Sequence, residues 1–226
     1  MNFFKGPRIP LSETRFTDAR AARFYDEHAR RFMTPVYRKF AIQAAGIAPG
    51  KQILDIGAGS GCLAIELAKI LPGRRVTGID VSEDMLKIAR ENTARSGLAE
   101  RIEFRRASAT ELPFPDDCFD LIVSNTSLHL WAEPLKVFKE IKRTVVPGGY
   151  CFIWDNVRMS ALNPLLSFIG RCMGMNAAQR RLWMEALRSS YTPGEAKALL
   201  KQSTLKGARV KFIPGFFMMK IEWRKE

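Results

Sequence analysis

A chain of 226 residues is long enough to bury one sizeable α/β core. Its 46% hydrophobic and 26% charged residues give the balance of a soluble globular protein, which excludes the disordered and fibrous classes. No apolar run approaches the ~20 residues needed to span a bilayer, and the opening MNFFKGPRIP lacks the apolar stretch of a secretory signal, so the cytoplasm is the expected location. The formal charge of +13 is uneven: residues 1–46 carry nine Lys/Arg against four Asp/Glu, residues 47–155 carry 14 against 15, and residues 156–226 carry 13 against four. Such flanks suit an anionic partner, and equally a solvated basic surface.

From Thr17 to Gly46, apolar residues at Ala21, Phe24, Tyr25, Phe32, Val36, Phe40 and Ile42 predict two amphipathic helices separated near Pro35. QILDIGAGSG followed by CLAIELAKIL predicts a strand, a glycine turn and a helix. RRVTGID is a second strand, and SEDMLKIARENTARSG a helix with Ser82 at its start and Gly97 at its end. RIEFRRA is a third strand, LPFPDDC a turn and FDLIVSN a fourth strand. LKVFKEIKRTVV is a helix stopped by Pro147, Gly148 and Gly149, and YCFIWD a fifth strand. This alternation predicts right-handed crossovers and a mostly parallel sheet with its chemistry at the strands' carboxyl ends.

Between Asn156 and Tyr191 a Met- and Arg-rich stretch predicts two or three helices outside the sheet. TPGEAKALLKQS is a compact helix with Thr192 as N-cap and Pro193 in the first turn. ARVKFIP and GFFMMKIEWRKE form an antiparallel edge hairpin around Pro214 and Gly215. One domain is expected, divided into an N-terminal helical lid (1–46), a core (47–155), a helical cap (156–191) and a last helix with hairpin (192–226).

Cys62, Cys118, Cys151 and Cys172 are scattered without a CxxC pair, so reduced, mostly buried thiols are expected rather than a zinc site or a disulfide framework. With only His28 and His129, a multi-histidine metal centre is not expected.

The strongest local signal is Asp55-Ile56-Gly57-Ala58-Gly59-Ser60-Gly61, at the junction of the first strand and first helix. Glycines there allow a tight turn and close approach to a ligand, and the N–H groups of the helix start can bind polar groups. A dinucleotide fingerprint would place a small residue where Cys62 stands, and Asp55 would repel a pyrophosphate. Asp55 suits a cationic group instead. Asp80 ends the second strand, where a carboxylate can accept hydrogen bonds from both hydroxyls of a ribose. Two acids flanking a glycine turn fit a nucleoside with a cationic amino-acid end.

ILDIGAGSG, GIDVSEDMLKIAREN, ELPFPDDCFDLIVSNTSLHLW and IKRTVVPGGY stand in an order and spacing that resemble class I S-adenosylmethionine-dependent methyltransferases, most of all the branch that includes quinone-biosynthesis methyltransferases. The resemblance is close over residues 51–155 and generic in the N-terminal helices. It implies a Rossmann-like seven-stranded, mostly parallel sheet with helices on both faces. S-adenosylmethionine is the implied cofactor, with S-adenosylhomocysteine as product and no metal.

By the same resemblance, Gly57, Ala58, Gly59 and Gly61 hold the methionine part, Asp80 the ribose, and Val81 and Met85 flank the adenine. After the third strand the family usually has Asp-Ala; here Ser108-Ala109-Thr110 takes that place, an uncharged contact weaker by about 1 kcal/mol. Ser124 and Asn125 meet the methionine amine, and Tyr25 closes over the cofactor.

His129 follows the fourth strand at the expected site mouth and is the first candidate to take a proton from an acceptor; local packing beside Trp131 is the alternative. Asp155, after the fifth strand, is the second candidate, with a hydrogen-bonding role as the alternative. Met159, Met173, Met175 and Met184, with Phe168 and Trp183, are candidates for an adaptable apolar pocket and equally for core.

The expected function is in-line methyl transfer to a small molecule. An RNA methyltransferase docked by the basic flanks is a competing reading, opposed by a fourth strand that ends Ser-Asn-Thr-Ser rather than in an Asn-Pro-Pro-aromatic motif. A non-catalytic cofactor-binding protein is the other.

Overall fold

The computed structural model describes residues 4, 6–11, 18–47 and 50–226; Thr17 and part of the expected N-terminal lid lie outside them. Seven strands form one sheet in the order β3-β2-β1-β4-β5-β7-β6. They are β1 (Gln52–Ile56), β2 (Arg75–Asp80), β3 (Ile102–Arg106), β4 (Phe119–Asn125), β5 (Val145–Asn156), β6 (Arg209–Ile213) and β7 (Met218–Arg224). The first five run parallel, and β7 and β6 add antiparallel at one edge. The chain winds from β1 outward to β3 and then returns to place β4 on the other side of β1. The carboxyl ends of β1 and β4 therefore flank a topological switch point, the place where this architecture opens a crevice.

Alternation along the strands sorts side chains to two faces. Ile53, Val76, Leu121, Val123, Phe152 and Trp154 pack on one side with residues of α2 (Thr34–Ala45), α3 (Cys62–Ile70) and α4 (Glu83–Arg95). Leu54, Ile56, Ile79, Ile122 and Ile153 pack on the other with α5 (Pro134–Thr144) and α8 (Pro193–Gln202). Phe40 of α2 meets Phe152 and Trp154 at ring-centroid distances of 4.8 and 5.4 Å. These rings fix α2 against the sheet below the crevice, since each fully buried aromatic is worth ~3–5 kcal/mol against truncation to Ala.

Local signals act where the sequence places them. Ser82 caps α4 by accepting from the Met85 N–H at 3.2 Å, and Gly97 ends it with φ +68°. Thr192 and Glu195 form a reciprocal capping box on α8. The helix expected to run through Val145 and Val146 stops instead at Thr144, because Val145 pairs with Phe119 and opens β5. A β-branched residue facing a free strand edge gains more in the ladder than in another helical turn.

The two N-terminal helices are not separated at Pro35. α1 (Ala19–His28) runs through a π-helical turn, Ala29–Met33, into α2, with Pro35 in its tolerated first-turn position. The segment 156–191, expected to be a helical cap, carries α6 (Asn163–Cys172) and α7 (Ala177–Ser189). Of the expected buried thiols only Cys151 is fully enclosed, Cys62 and Cys118 are half-buried, and Cys172 is exposed; all four are free. Among the described residues, no helix is long and apolar enough to cross a membrane.

Candidate active site

The glycine turn after β1 is held by the neighbouring strand: Gly57 and Ala58 N–H groups both donate to the Ile79 carbonyl at 2.9 Å. Gly57 has φ +72°, and a Cβ there would lie 2.0 Å from Ser127 Oγ, so glycine is required both by conformation and by space. Asp80 is fixed before any ligand arrives, its two oxygens accepting from Gly59 N and Ser82 N at 2.9 Å.

At the far side of the turn, Asp55 is 1% exposed and its Oδ2 has no partner. Burial, reinforced by the charge of Asp80, pushes its carboxyl up to about 8. Asn125, at the end of β4, is likewise buried with both side-chain polar atoms unpartnered. Both residues line a small cavity together with Tyr25 and Tyr37. An orphaned carboxylate oxygen beside an orphaned amide is costly unless a ligand brings a cation and further hydrogen-bonding atoms. An α-amino acid end has that chemistry, so the residues present fit the cofactor the sequence implies.

A larger cavity adjoins this one at the switch point. Tyr25, Gly57, Gly59, Asp80, Val81, Met85, Ala109 and Asn125 of the expected set line it, while Asp55 and Ala58 line the small cavity. Gly61, Ser108, Thr110 and Ser124 line neither. Gly61 lets Phe104 and Ala89 approach, and Ser124 Oγ donates to the Ile56 carbonyl at 2.8 Å, tying β4 to β1. The Ser108 and Thr110 hydroxyls bond each other at 2.8 Å, while Ala107 and Ala109 face the cavity.

The catalytic candidates form a pair. His129, in the turn after β4, is 3% exposed, and its Nδ1 lies 2.7 Å from Asp155 Oδ1. Asp155 Oδ2 also accepts the His129 backbone N–H at 2.9 Å, and Arg8 Nη2 donates to the His129 carbonyl at 2.7 Å. A carboxylate only accepts, so Nδ1 carries a hydrogen, and in the neutral ring Nε2 is the nitrogen with the lone pair. His129 lines the cavity; Asp155 does not.

Thr126, the next residue after β4, has φ +53°, an unusual conformation for a β-branched residue. Its N–H is held by the Trp154 carbonyl at 2.9 Å, and its side chain hydrogen-bonds Tyr25. Strain of this kind concentrates at ligand sites.

Thr126, Ser127, Leu130, Asn156, Leu182 and His28 line the cavity and were not singled out in the sequence. Their placement after strand ends is the signal for several of them. The methionine-rich pocket is not formed: Trp183 lines the cavity, but Met159, Met175 and Met184 are core and Met173 and Phe168 are exposed. Among the described residues no group of three His, Cys, Asp or Glu could hold a metal.

The switch-point crevice, the glycine turn and the two acids have the arrangement of class I S-adenosylmethionine-dependent methyltransferases, and the chain is similar to proteins of that class in sequence and in fold. A family profile described as a methyltransferase domain matches residues 54–153. The chain is 29% identical over 182 residues, 76% of its length and 71% of the relative's, to the ubiquinone/menaquinone biosynthesis C-methyltransferase UbiE of Pseudomonas fluorescens. It spans 46% of the length of the UbiE relative of Vibrio vulnificus, at 32% identity, and 41% of that of the release factor glutamine methyltransferase of Chlorobaculum tepidum, at 45% identity. Its fold matches that of a Methanococcus maripaludis protein described as an S-adenosylmethionine-dependent methyltransferase, with TM-score 0.75 at 21% identity over 98% of this chain and 97% of that one. It also matches the plantazolicin methyltransferase BpumL, solved with S-adenosylhomocysteine, with TM-score 0.74 at 17% identity over 95% and 93% of the two chains.

Proposed function

We propose that this chain methylates a small-molecule acceptor in the switch-point cavity, with His129 as the base. The reading rests on one observation above all: a buried, unpartnered Asp55 oxygen at one end of the glycine turn and a buried His129–Asp155 pair beyond it. The named relatives include enzymes of small-molecule methylation, which supports the same substrate size.

When bound, S-adenosylmethionine supplies an electrophilic methyl group, passed on by in-line displacement with a neutral thioether as leaving group. Asp55 and Asn125 would hold its amino-acid end, Asp80 the ribose, and Val81, Met85 and Ala109 the adenine. Tyr25, hydrogen-bonded to Tyr37 and Thr126, closes the wall over the glycine turn. A sulfonium donor that expels a neutral thioether needs no Lewis acid, so no metal is invoked.

The chain's own work is alignment, exclusion of water and proton removal. Leu182, Trp183 and Ala186 of α7 cover the cavity and keep water from competing. His129 Nε2 accepts a proton from an acidic group of the acceptor, and Asp155 holds the ring in the tautomer that can do so. Asp155 is thus a positioning residue. The default setting for such an enzyme is the cytoplasm.

Calorimetry with S-adenosylhomocysteine tests the cofactor half: binding should weaken at least tenfold in Asp80→Ala, and equal affinity would overturn the ribose assignment. Labelled methyl groups added to a cell extract test the acceptor half. Label should enter small metabolites; label found only in RNA or protein overturns it.

A further inference from the structure

The chain has two histidines in 226 residues, and both line the same cavity. His129 has its orienting carboxylate. His28 has no role in the reading above, although it is 5% exposed and its Nδ1 is buried without a hydrogen-bond partner. Burial pushes its imidazolium down to about 4, so the ring is neutral near pH 7 and presents one donor and one acceptor.

The backbone explains how it gets there. His28 is the last residue of α1 and leads into the π turn Ala29–Met33. Residues five apart diverge on an α-helix, but an i→i+5 turn brings them to one side. His28 and Met33 accordingly both reach the cavity. Single π turns inside helices occur often at functional sites. The ring packs against Phe32, at 5.1 Å between centroids, a contact that does not satisfy its nitrogen.

The remaining walls beyond the glycine turn are mostly apolar, with Leu11, Met33, Leu130, Trp131, Leu182 and Trp183, and are completed by the uncharged polar residues Thr126, Ser127 and Asn156. Among the described lining residues there is no Lys or Arg. A carboxylate or phosphate on the acceptor would be buried without a counterion, at a cost of several kcal/mol.

We infer that His28 is a specificity-determining residue, hydrogen-bonding a second polar group of an uncharged, largely apolar acceptor whose first polar group meets His129. This rests on the proposed function and adds the acceptor's chemical class.

Because the chain has only two imidazoles, ¹⁵N-histidine labelling gives one spectrum in which each can be followed. The probes are 2,7-dihydroxynaphthalene, 2-naphthol and 6-hydroxy-2-naphthoate, titrated into protein saturated with S-adenosylhomocysteine. The diol should move both imidazole resonances and bind at least fivefold more tightly than the mono-ol, with the carboxylate weakest. In His28→Phe the advantage of the diol should vanish; in His28→Gln, which keeps a donor and an acceptor, much of it should return.

A diol that moves His129 alone, moves neither ring, or keeps its advantage in His28→Phe overturns the inference. So does a carboxylate that binds best. S-adenosylhomocysteine affinity, measured first in every variant, separates the two levels. If wild type does not bind it, the proposed function itself falls; if all variants bind it equally and His28 stays silent, only this inference falls.

Discussion

Asp55 shows how one side chain couples cofactor binding to pH. An acid whose folded pKa lies above its unfolded value binds more protons when folded. Ligand-free protein should therefore lose stability as pH rises from the ordinary Asp range near 3.8 through about 8. Asp55→Asn removes this loss, so calorimetric melting should find the ligand-free variant more stable than wild type at pH 8, with the gap closing toward pH 4. An ammonium seated beside the carboxylate favours its charged form. Binding of S-adenosylhomocysteine at pH 7 should then release close to one proton in wild type and none in Asp55→Asn, read by titration calorimetry in buffers of different ionisation enthalpy. Asp155 makes a second prediction at this scale. Asp155→Asn keeps the shape but allows the His129 ring to turn, so kcat should fall at least tenfold while the affinity for S-adenosylhomocysteine stays within twofold of wild type.

At the scale of elements, the cap is tied to the sheet through a buried cation. Arg158, 2% exposed and just past β5, donates to the Ser190 carbonyl at 2.8 Å and pairs with Glu195 Oε1 at 2.6 Å. Glu195 also closes the capping box of α8, and Arg158 holds its carboxyl below the ordinary Glu range despite the opposing effect of burial. Glu195→Gln should cost about 2 kcal/mol in urea unfolding. That is less than the ~3–5 kcal/mol of a fully buried pair, because Glu195 keeps part of its surface in water.

What the sequence made legible follows the same division. The glycine turn, the acid ending β2 and the caps at Ser82 and Thr192 are short-range patterns whose residue types have few other uses. His28 was not legible, because an α-helical reading places it without regard to the π turn that follows. Ser108 and Thr110 were assigned by position after β3, but their hydroxyls satisfy each other and leave the alanines on either side of Ser108 to face the cavity. The partnership of His129 with Asp155 depends on the parallel pairing of β4 and β5, which brings residues 26 positions apart into contact.

For the whole molecule, the formal charge is +13, yet among the described residues no Lys or Arg lines the cavity. Affinity for S-adenosylhomocysteine should change less than about twofold between 50 and 500 mM salt, since no phosphate is neutralised on binding. Saturation at about 100 times the dissociation constant adds ~2.7 kcal/mol to the folded state, which for a chain of this size should raise the melting temperature by about 5–10 °C. Both are read by calorimetry and thermal shift.

The π turn also makes the site sensitive to chain length and not only to side-chain chemistry. Deleting one residue between Ala29 and Met33 would let the segment wind as ordinary helix, turning everything ahead of it by about 100° while α2 stays anchored by Phe40. Tyr25 and His28 would swing off the chamber together. A one-residue deletion there should abolish ligand recognition in a protein whose sheet is intact, a loss that no single replacement within the turn would reproduce.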